Sequence, residues 1–156
     1  MENDKFFLLR AVEIARYGIK NGGGPFGAVI TQDGKLISEA FNKVVLTNDP
    51  TAHAEVLAIR MAASVLKSHD LNDCTLYTSC EPCPMCLGAI YWAGIKKVVY
   101  ACDRNDAERA GFSDKLIYEE IILDPADRKI SFSRMTNSGG KEVFREWDNL
   151  ENKIPY

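Results

Sequence analysis

Segments with helical periodicity alternate with short apolar segments typical of β-strands over residues 5–101. The predicted order is a helix over 5–20, strands over 26–31 and 35–41, a helix after residue 51, a strand over 74–78, a helix from Pro82 to about Trp92 and a strand over 96–101. Strands that alternate with helices pair in parallel, whereas the turn at Asp33-Gly34 predicts an antiparallel hairpin. The sequence therefore predicts a three-layer α/β/α sandwich built on a mixed sheet.

The C-terminal third has a weaker pattern. Residues 115–122 fit a helix or a strand, residues 130–132 are a candidate short strand, and residues 141–152 are typical of a terminal helix. We expect five strands in the mixed sheet. A length of 156 residues suits one domain, so we expect residues 1–156 to form a single domain.

Composition and charge disfavour several classes of protein. No apolar stretch approaches the ~18 residues that suggest a membrane span. The N-terminal residues are polar and acidic, unlike a secretory signal, so we expect a cytoplasmic protein that does not bind membranes. Nineteen basic residues against 22 acidic ones give a net charge of −3. Because phosphate neutralisation dominates nucleic-acid affinity, this balance disfavours a nucleic-acid partner.

Two short motifs predict a metal site: His53-Ala-Glu55 and Pro82-Cys83-Pro-Met-Cys86. Zinc binds imidazole nitrogen and thiolate sulfur, and a catalytic zinc keeps three protein ligands and one position for water. Each motif begins a predicted helix, and the starts of the two helices should lie at the same edge of the sheet. We therefore expect His53, Cys83 and Cys86 to bind one zinc ion.

Glu55 distinguishes a catalytic site from a structural one. Zinc lowers the pKa of its water to about 7, and a carboxylate two residues from a ligand can carry protons to substrate and leaving group. The alternative is a closed structural site that also uses Cys80, which would leave Glu55 without a role. Otherwise we expect Cys80 to be a small buried residue, and Cys74 and Cys102 to be core residues of strands.

The pattern H-x-E followed by P-C-x-x-C resembles the signature of the cytidine deaminase superfamily, in which the glutamate is the acid and base and is not a ligand. The purine-acting branch, with bacterial guanine deaminases and tRNA adenosine deaminases, is similar in wider segments: TAHAEVLAIR (51–60) and TSCEPCPMCLGAIYWAGIKKVVYA (78–101). Guanine deaminases resemble the chain further at residues 23–29, 47–53 and 110–118. The likeness covers the chain from residue 5 to the C-terminus and is strongest over residues 25–114.

This resemblance implies the α/β/α fold and the hydrolysis of guanine to xanthine and ammonia, with one zinc ion per subunit and water as co-substrate. It also implies a homodimer in which a C-terminal segment, about residues 130–156, can be exchanged between subunits. Glu55 would be the acid and base, and Asp114 a second proton carrier near the amino group. A helix cap is an alternative role for Asp114.

The resemblance also implies a purine-binding pocket. Asn42 would form a hydrogen bond with the base, Phe26 and Trp92 would stack on it, and Tyr156 would close the pocket of its own subunit or of the other one. The alternatives are turn capping by Asn42, core packing by the two aromatic residues and a frayed terminus at Tyr156. The backbone at Ala54 and Cys83 should line the pocket, because residues at the ligands lie close to the water.

Three other functions stay open. A tRNA adenosine deaminase would need a basic flank to hold an anticodon. A deaminase of another aminated heterocycle would keep the same chemistry, because the shape of the pocket sets that choice. A zinc-stabilised binding module without activity would have no use for the intact Glu55.

Overall fold

The computed structural model describes residues 2–155. The chain divides into two compact units, one ending at Asp114 and one beginning at Lys115. Below, these are the N-terminal and the C-terminal unit.

The N-terminal unit contains a four-stranded sheet. Its strands are β1 (Gly27–Gln32), β2 (Lys35–Phe41), β3 (Cys74–Cys80) and β4 (Lys97–Cys102), in the order β2-β1-β3-β4. β1 pairs antiparallel with β2 and β3, whereas β3 and β4 are parallel. The predicted mixed α/β sheet is therefore confirmed.

The predicted number of five strands is wrong for the described residues. Residues 130–132 form no strand in the part of the chain that the structure describes. A strand needs a neighbour to satisfy its backbone N–H and C=O groups, and a short apolar pattern says nothing about whether a neighbour exists.

Helices cover both faces of this sheet. On one face, α1 (Glu2–Lys20) places Phe7 and Ala11 against Val29 and Tyr77. On the other face, α3 (Ala54–Leu66) and α4 (Pro84–Trp92) enclose the larger apolar cluster, which includes Ile30 and Leu76. Two short helices were not expected from the sequence: α2 (Val44–Thr47) and α5 (Arg104–Arg109).

α1 lies very close to β1 at Gly27. A Cβ atom at this residue would lie 2.3 Å from the carbonyl oxygen of Ala11 and 2.5 Å from the backbone nitrogen of Ala15. Both are backbone atoms, so a side chain here would have to displace the helix. The missing side chain thus sets the distance between the helix and the sheet.

The start of α4 differs from the sequence-based prediction. We expected Pro82 at the first helical position, but the proline there is Pro84. Cys83 has an extended backbone and is the N-cap residue, so the helix cannot begin earlier. At the other end, Gly94 has a φ of +70° and terminates the helix as expected.

The C-terminal unit contains α6 (Lys115–Ile121), a 3₁₀ turn (Pro125–Asp127) and α7 (Gly140–Asp148). α6 resolves the ambiguity of residues 115–122 in favour of a helix. None of the described side chains of this unit is buried. Within residues 2–155, no helix has the length and apolar character needed to cross a bilayer.

Candidate metal centre

His53, Cys83 and Cys86 meet at the starts of α3 and α4. His53 and Cys83 are the N-cap residues of these helices, and Cys86 follows in the first turn of α4. Nδ1 of His53 lies 3.5 Å from the Sγ atoms of both cysteines. All three ligand atoms lie within 4.8 Å of one another.

This geometry fits zinc. With Zn–S of about 2.3 Å and Zn–N of about 2.0–2.1 Å, a tetrahedral zinc ion separates a nitrogen ligand from a sulfur ligand by about 3.6 Å. The two N···S distances in the structure, both 3.5 Å, agree with that value. One nitrogen and two sulfur ligands leave a fourth position for water, as in catalytic zinc sites.

The charges of the three ligands are strongly coupled. A hydrogen bond from the Cys86 thiol, and another from His53, lower the pKa of Cys83 to about 4. The same contact with Cys83 raises the pKa of Cys86, and burial and the charge of Glu55 add to the increase. The hydrogen bond with Cys83 also raises the pKa of His53. A divalent cation would favour both sulfurs as thiolates, because zinc ligands must be deprotonated.

Glu55 lies beside these ligands and is almost completely buried, with 4% of its surface exposed. Its Oε2 accepts a hydrogen bond from Sγ of Cys86 at 3.4 Å, and its Oε1 accepts one from Oγ1 of Thr78 at 3.1 Å. Burial raises the pKa of Glu55, and these two hydrogen bonds oppose the increase. A carboxyl group with a raised pKa next to a metal site is suited to taking up and releasing protons.

Cys80 is not part of the ligand cluster among the described residues. Its Sγ donates to the carbonyl oxygen of Asp103 at 3.4 Å, and burial raises its pKa to about 11. The alternative of a closed four-ligand site is therefore not supported. Cys80 and Cys74 are buried as expected, but Cys102 is exposed, because it is the last residue of the edge strand β4.

The open end of the β1–β2 hairpin lies at the same edge of the sheet. The backbone nitrogen of Asn42 donates to the carbonyl oxygen of Phe26 at 2.9 Å, which places these two predicted residues side by side. The next residue, Lys43, donates to the carbonyl oxygen of Ala52 at 2.9 Å and so connects them to the segment before His53. Ala54, the first residue of α3, is completely buried.

The Asn42 side chain is 8% exposed, and its Oδ1 accepts from the backbone nitrogen of Val44 at 3.2 Å. Asn42 therefore does cap a turn, which was the alternative to base recognition. The two roles are compatible, since the contact with Val44 uses only the oxygen of the amide.

Asp114 lies close enough to the metal site to sense its charge. Burial raises its pKa first, and the negative charges of Cys83 and Glu81 raise it further, whereas Arg104 lowers it. The segment before it is held by Phe112, whose ring meets Phe26 edge to face with centroids 5.0 Å apart.

Trp92 and Tyr156 are not placed at this site by the described chain. Trp92 is the last residue of α4 and is 72% exposed. A helix of nine residues spans about 13 Å, so Trp92 lies at the far end of α4 from Cys83. Tyr156 lies outside the described residues.

Sequence reasoning missed Thr78 and Phe112. Thr78 was placed in a strand and in a segment of the family resemblance, but it was given no role, because its contact with Glu55 joins residues 23 positions apart and belongs to no short motif. Phe112 lay inside a segment that supported the family resemblance. Its position two residues before Asp114, a predicted site residue, could have indicated that Phe112 lies near the site.

Comparison with known proteins agrees with this site. Residues 1–102 match the sequence profile of the family described as cytidine and deoxycytidylate deaminase zinc-binding region. The chain belongs to this zinc-dependent deaminase family. Its metal site is accordingly a zinc site formed by His53, Cys83 and Cys86, and the protein is a hydrolytic deaminase.

Relatives of this deaminase cover nearly its whole length. Guanine deaminase from Bacillus subtilis is 54% identical over 99% of both chains. The X-ray structure of guanine deaminase from Bacillus subtilis has a TM-score of 0.95, with 54% identity over 97% of this chain and 98% of that chain. A tRNA-specific adenosine deaminase from Buchnera aphidicola is more distant, with 35% identity over 88% of this chain and 89% of its own.

Proposed function

We propose that this protein hydrolyses guanine to xanthine and ammonia, with a function in purine catabolism or salvage. The observation that carries the proposal is the 54% identity to guanine deaminase from Bacillus subtilis over 99% of both chains. The geometry supports it, because a buried carboxylate, Glu55, lies beside a three-ligand zinc site. The substrate would be a small-molecule purine base, and water the co-substrate.

In the proposed mechanism, Glu55 moves protons between the attacking water and the substrate. Zinc, when bound, acts as a Lewis acid and lowers the pKa of water to about 7. Glu55 accepts a proton as the water oxygen attacks C2 of guanine, and then donates a proton to a ring nitrogen. Glu55 would then take up the second proton of the former water, from the new hydroxyl group on C2. That proton would reach the amino group directly from Glu55 or by way of Asp114, and ammonia leaves as the C2=O bond forms. The raised pKa of Asp114 suits a proton donor.

The proposed purine site combines Phe26, Asn42 and the backbone at Ala54. Phe26 would stack on the purine, with Phe112 behind it. Because Oδ1 of Asn42 already accepts from Val44, we expect the amide nitrogen of Asn42 to donate to the purine. A buried amide of this kind rejects bases that lack the matching acceptor.

Trp92 and Tyr156 would complete the site in a homodimer. An exposed apolar surface on α4 supports this proposal: Leu87, Tyr91 and Trp92 are 38%, 79% and 72% exposed. A second copy that packs there would bury these side chains. α7 also exposes Val143, Phe144 and Trp147, and these apolar side chains support the exchange of about residues 130–156 between subunits. Residues 1–156 would still form a single functional domain.

Ammonia release tests the proposed function. We expect release from guanine, and little or none from adenine, cytosine, cytidine, guanosine or an anticodon-loop RNA. Release from the RNA with none from guanine would instead favour the tRNA adenosine deaminase, the alternative supported by the Buchnera aphidicola relative. Release only from another aminated ring would show that guanine is not the substrate, and the proposed deamination mechanism would still apply.

Glu55→Gln tests the role of the carboxylate. We expect this variant to bind one zinc ion per subunit and to lose turnover by about 10²–10⁴-fold, the usual contribution of general acid–base catalysis. Zinc content is measured by metal analysis and turnover by ammonia release. Turnover at the wild-type rate would contradict the mechanism.

A further inference from the structure

Thr78 is a buried polar residue in direct contact with Glu55. Its side chain is completely buried, and its Oγ1 donates to Oε1 of Glu55 at 3.1 Å. Thr78 lies on β3, where it pairs with Ala28 on one side and Tyr100 on the other. The hydroxyl is therefore fixed by two neighbouring strands and not by a loop.

The two oxygens of the Glu55 carboxylate have different partners. Oε1 accepts from Thr78, whereas Oε2 faces the ligand cluster and accepts from Sγ of Cys86 at 3.4 Å. A cysteine that ligates zinc is a thiolate and has no proton to donate. In the zinc-bound protein, Cys86 would therefore have no proton with which to hold Oε2, whereas the Thr78 hydroxyl keeps its proton for Oε1.

This asymmetry matters because a glutamate carboxylate is intrinsically symmetric. The terminal torsion of glutamate is broad and roughly two-fold, so rotation exchanges the two oxygens at little cost. A hydrogen bond to one oxygen removes this freedom. Errors of about 1 Å in the position of a catalytic group can cost about 100-fold in rate.

We propose that Thr78 is a positioning residue that anchors Oε1 of Glu55 and so assigns the proton transfers to Oε2. This role rests on the proposed function, in which Glu55 carries protons between water and substrate. Thr78 is not one of the three metal ligands, and its side chain is completely buried. It acts only through the carboxylate that it holds.

The test compares three variants. Thr78→Val keeps the shape and removes the hydroxyl, Thr78→Ser keeps the hydroxyl and removes the methyl group, and Thr31→Val is the matched control. Thr31 is another buried threonine, 3% exposed, but it lies on β1 beside the Tyr77 hydroxyl and not beside Glu55. Each variant is assayed for kcat and KM with guanine, for zinc content and for melting temperature.

We expect Thr78→Val to lower kcat by about 10- to 100-fold, because a misplaced base loses rate to that extent. KM should change by less than about two-fold, and zinc should remain at one per subunit, because no ligand or proposed substrate contact is removed. Thr78→Ser should recover kcat to within about three-fold of the wild type, because the donor is restored. Thr31→Val should leave kcat and KM unchanged.

Two outcomes would overturn the positioning role. One is a Thr78→Val variant with wild-type kcat. The other is a Thr78→Ser variant that is as slow as Thr78→Val, because the defect would then come from packing and not from the hydroxyl. Failure of the proposed function looks different, since the wild type itself would release no ammonia from guanine. If the wild type acts on another ring, kcat values of the same variants on that ring decide the role of Thr78. If the wild type releases ammonia from none of the rings, both proposals are wrong.

Discussion

The two units of this chain differ in how their side chains are stabilised. The N-terminal unit has an apolar cluster on each face of its sheet and a buried polar group, Glu55, with two hydrogen-bond donors. In the C-terminal unit, none of the described side chains is buried, and Phe144 on α7 is 74% exposed. The first unit thus contains the packing that holds its own zinc site. The second exposes apolar side chains, and we propose that a second copy of the chain covers them.

Removal of zinc should have the largest effect, and it should be confined to the N-terminal unit. Chelation should abolish ammonia release. It should also lower the melting temperature by about 5–10 °C, because a ligand at 100 times its Kd contributes about 2.7 kcal/mol and 1 kcal/mol corresponds to about 2–4 °C for a protein of this size. Calorimetry with and without chelator measures the shift.

Hydrogen exchange of the zinc-free protein extends this comparison. We expect faster exchange at the starts of α3 and α4, which the metal connects, and unchanged exchange in α7. Added zinc should restore activity and melting temperature together. An equal loss of protection in both units would contradict an effect of zinc that is confined to the N-terminal unit.

Two glycine-to-alanine substitutions compare packing in the two units. Gly27→Ala should destabilise the protein by about 1–3 kcal/mol, because the new Cβ would lie 2.3 Å from the carbonyl oxygen of Ala11. Gly140→Ala should be neutral or slightly stabilising, because its Cβ would meet only Oγ of Ser138, at 3.8 Å. Urea unfolding of both variants gives the two free energies. Similar values would mean that α1 can move away from β1 at little cost.

An effect on assembly alone is expected from the apolar side of α7. Phe144→Ser should raise the Kd of the dimer by about 10²- to 10⁴-fold, because the dimer would bury two copies of this side chain and each contributes about 1.5–3 kcal/mol. Arg145→Ser, one residue further along the same helix, is the control; Arg145 is paired with exposed Glu142 and should not affect assembly. Sedimentation equilibrium measures both constants. A monomeric wild type, or a dimer unaffected by Phe144→Ser, would exclude α7 as the contact.

The sequence predicted the ligand-bearing part of the fold well. The predicted bounds of β1, β2, β3 and β4 agree with the structure to within three residues. Buried strands and amphipathic helices have clear patterns of apolar residues, and these patterns made the prediction possible. It was also predictable that His53 would lie close to Cys83 and Cys86. Helices that follow parallel strands begin at the same edge of the sheet, and these residues lie at the starts of two such helices.

Other features could not be predicted because they depend on distant partners. The expected strand at residues 130–132 failed since no pattern shows whether a neighbouring strand is available. The Thr78 contact with Glu55 and the Phe112 contact with Phe26 join positions far apart in the chain. The roles of Trp92, Asp114 and Tyr156 stay predictions, because they depend on substrate or on a second subunit.

The strand order also determines how a new chain is assembled during synthesis. β1 lies inside the sheet, yet its neighbour β3 is made about 40 residues after the β1–β2 hairpin ends. At about 5–20 residues per second, the backbone N–H and C=O groups of β1 that later pair with β3 stay unpaired for roughly 2–8 s on the ribosome. An open edge of this kind can pair with other chains. Slow translation through α3 should therefore increase aggregation of nascent chains, before Cys83 and Cys86 have been synthesised and zinc can bind.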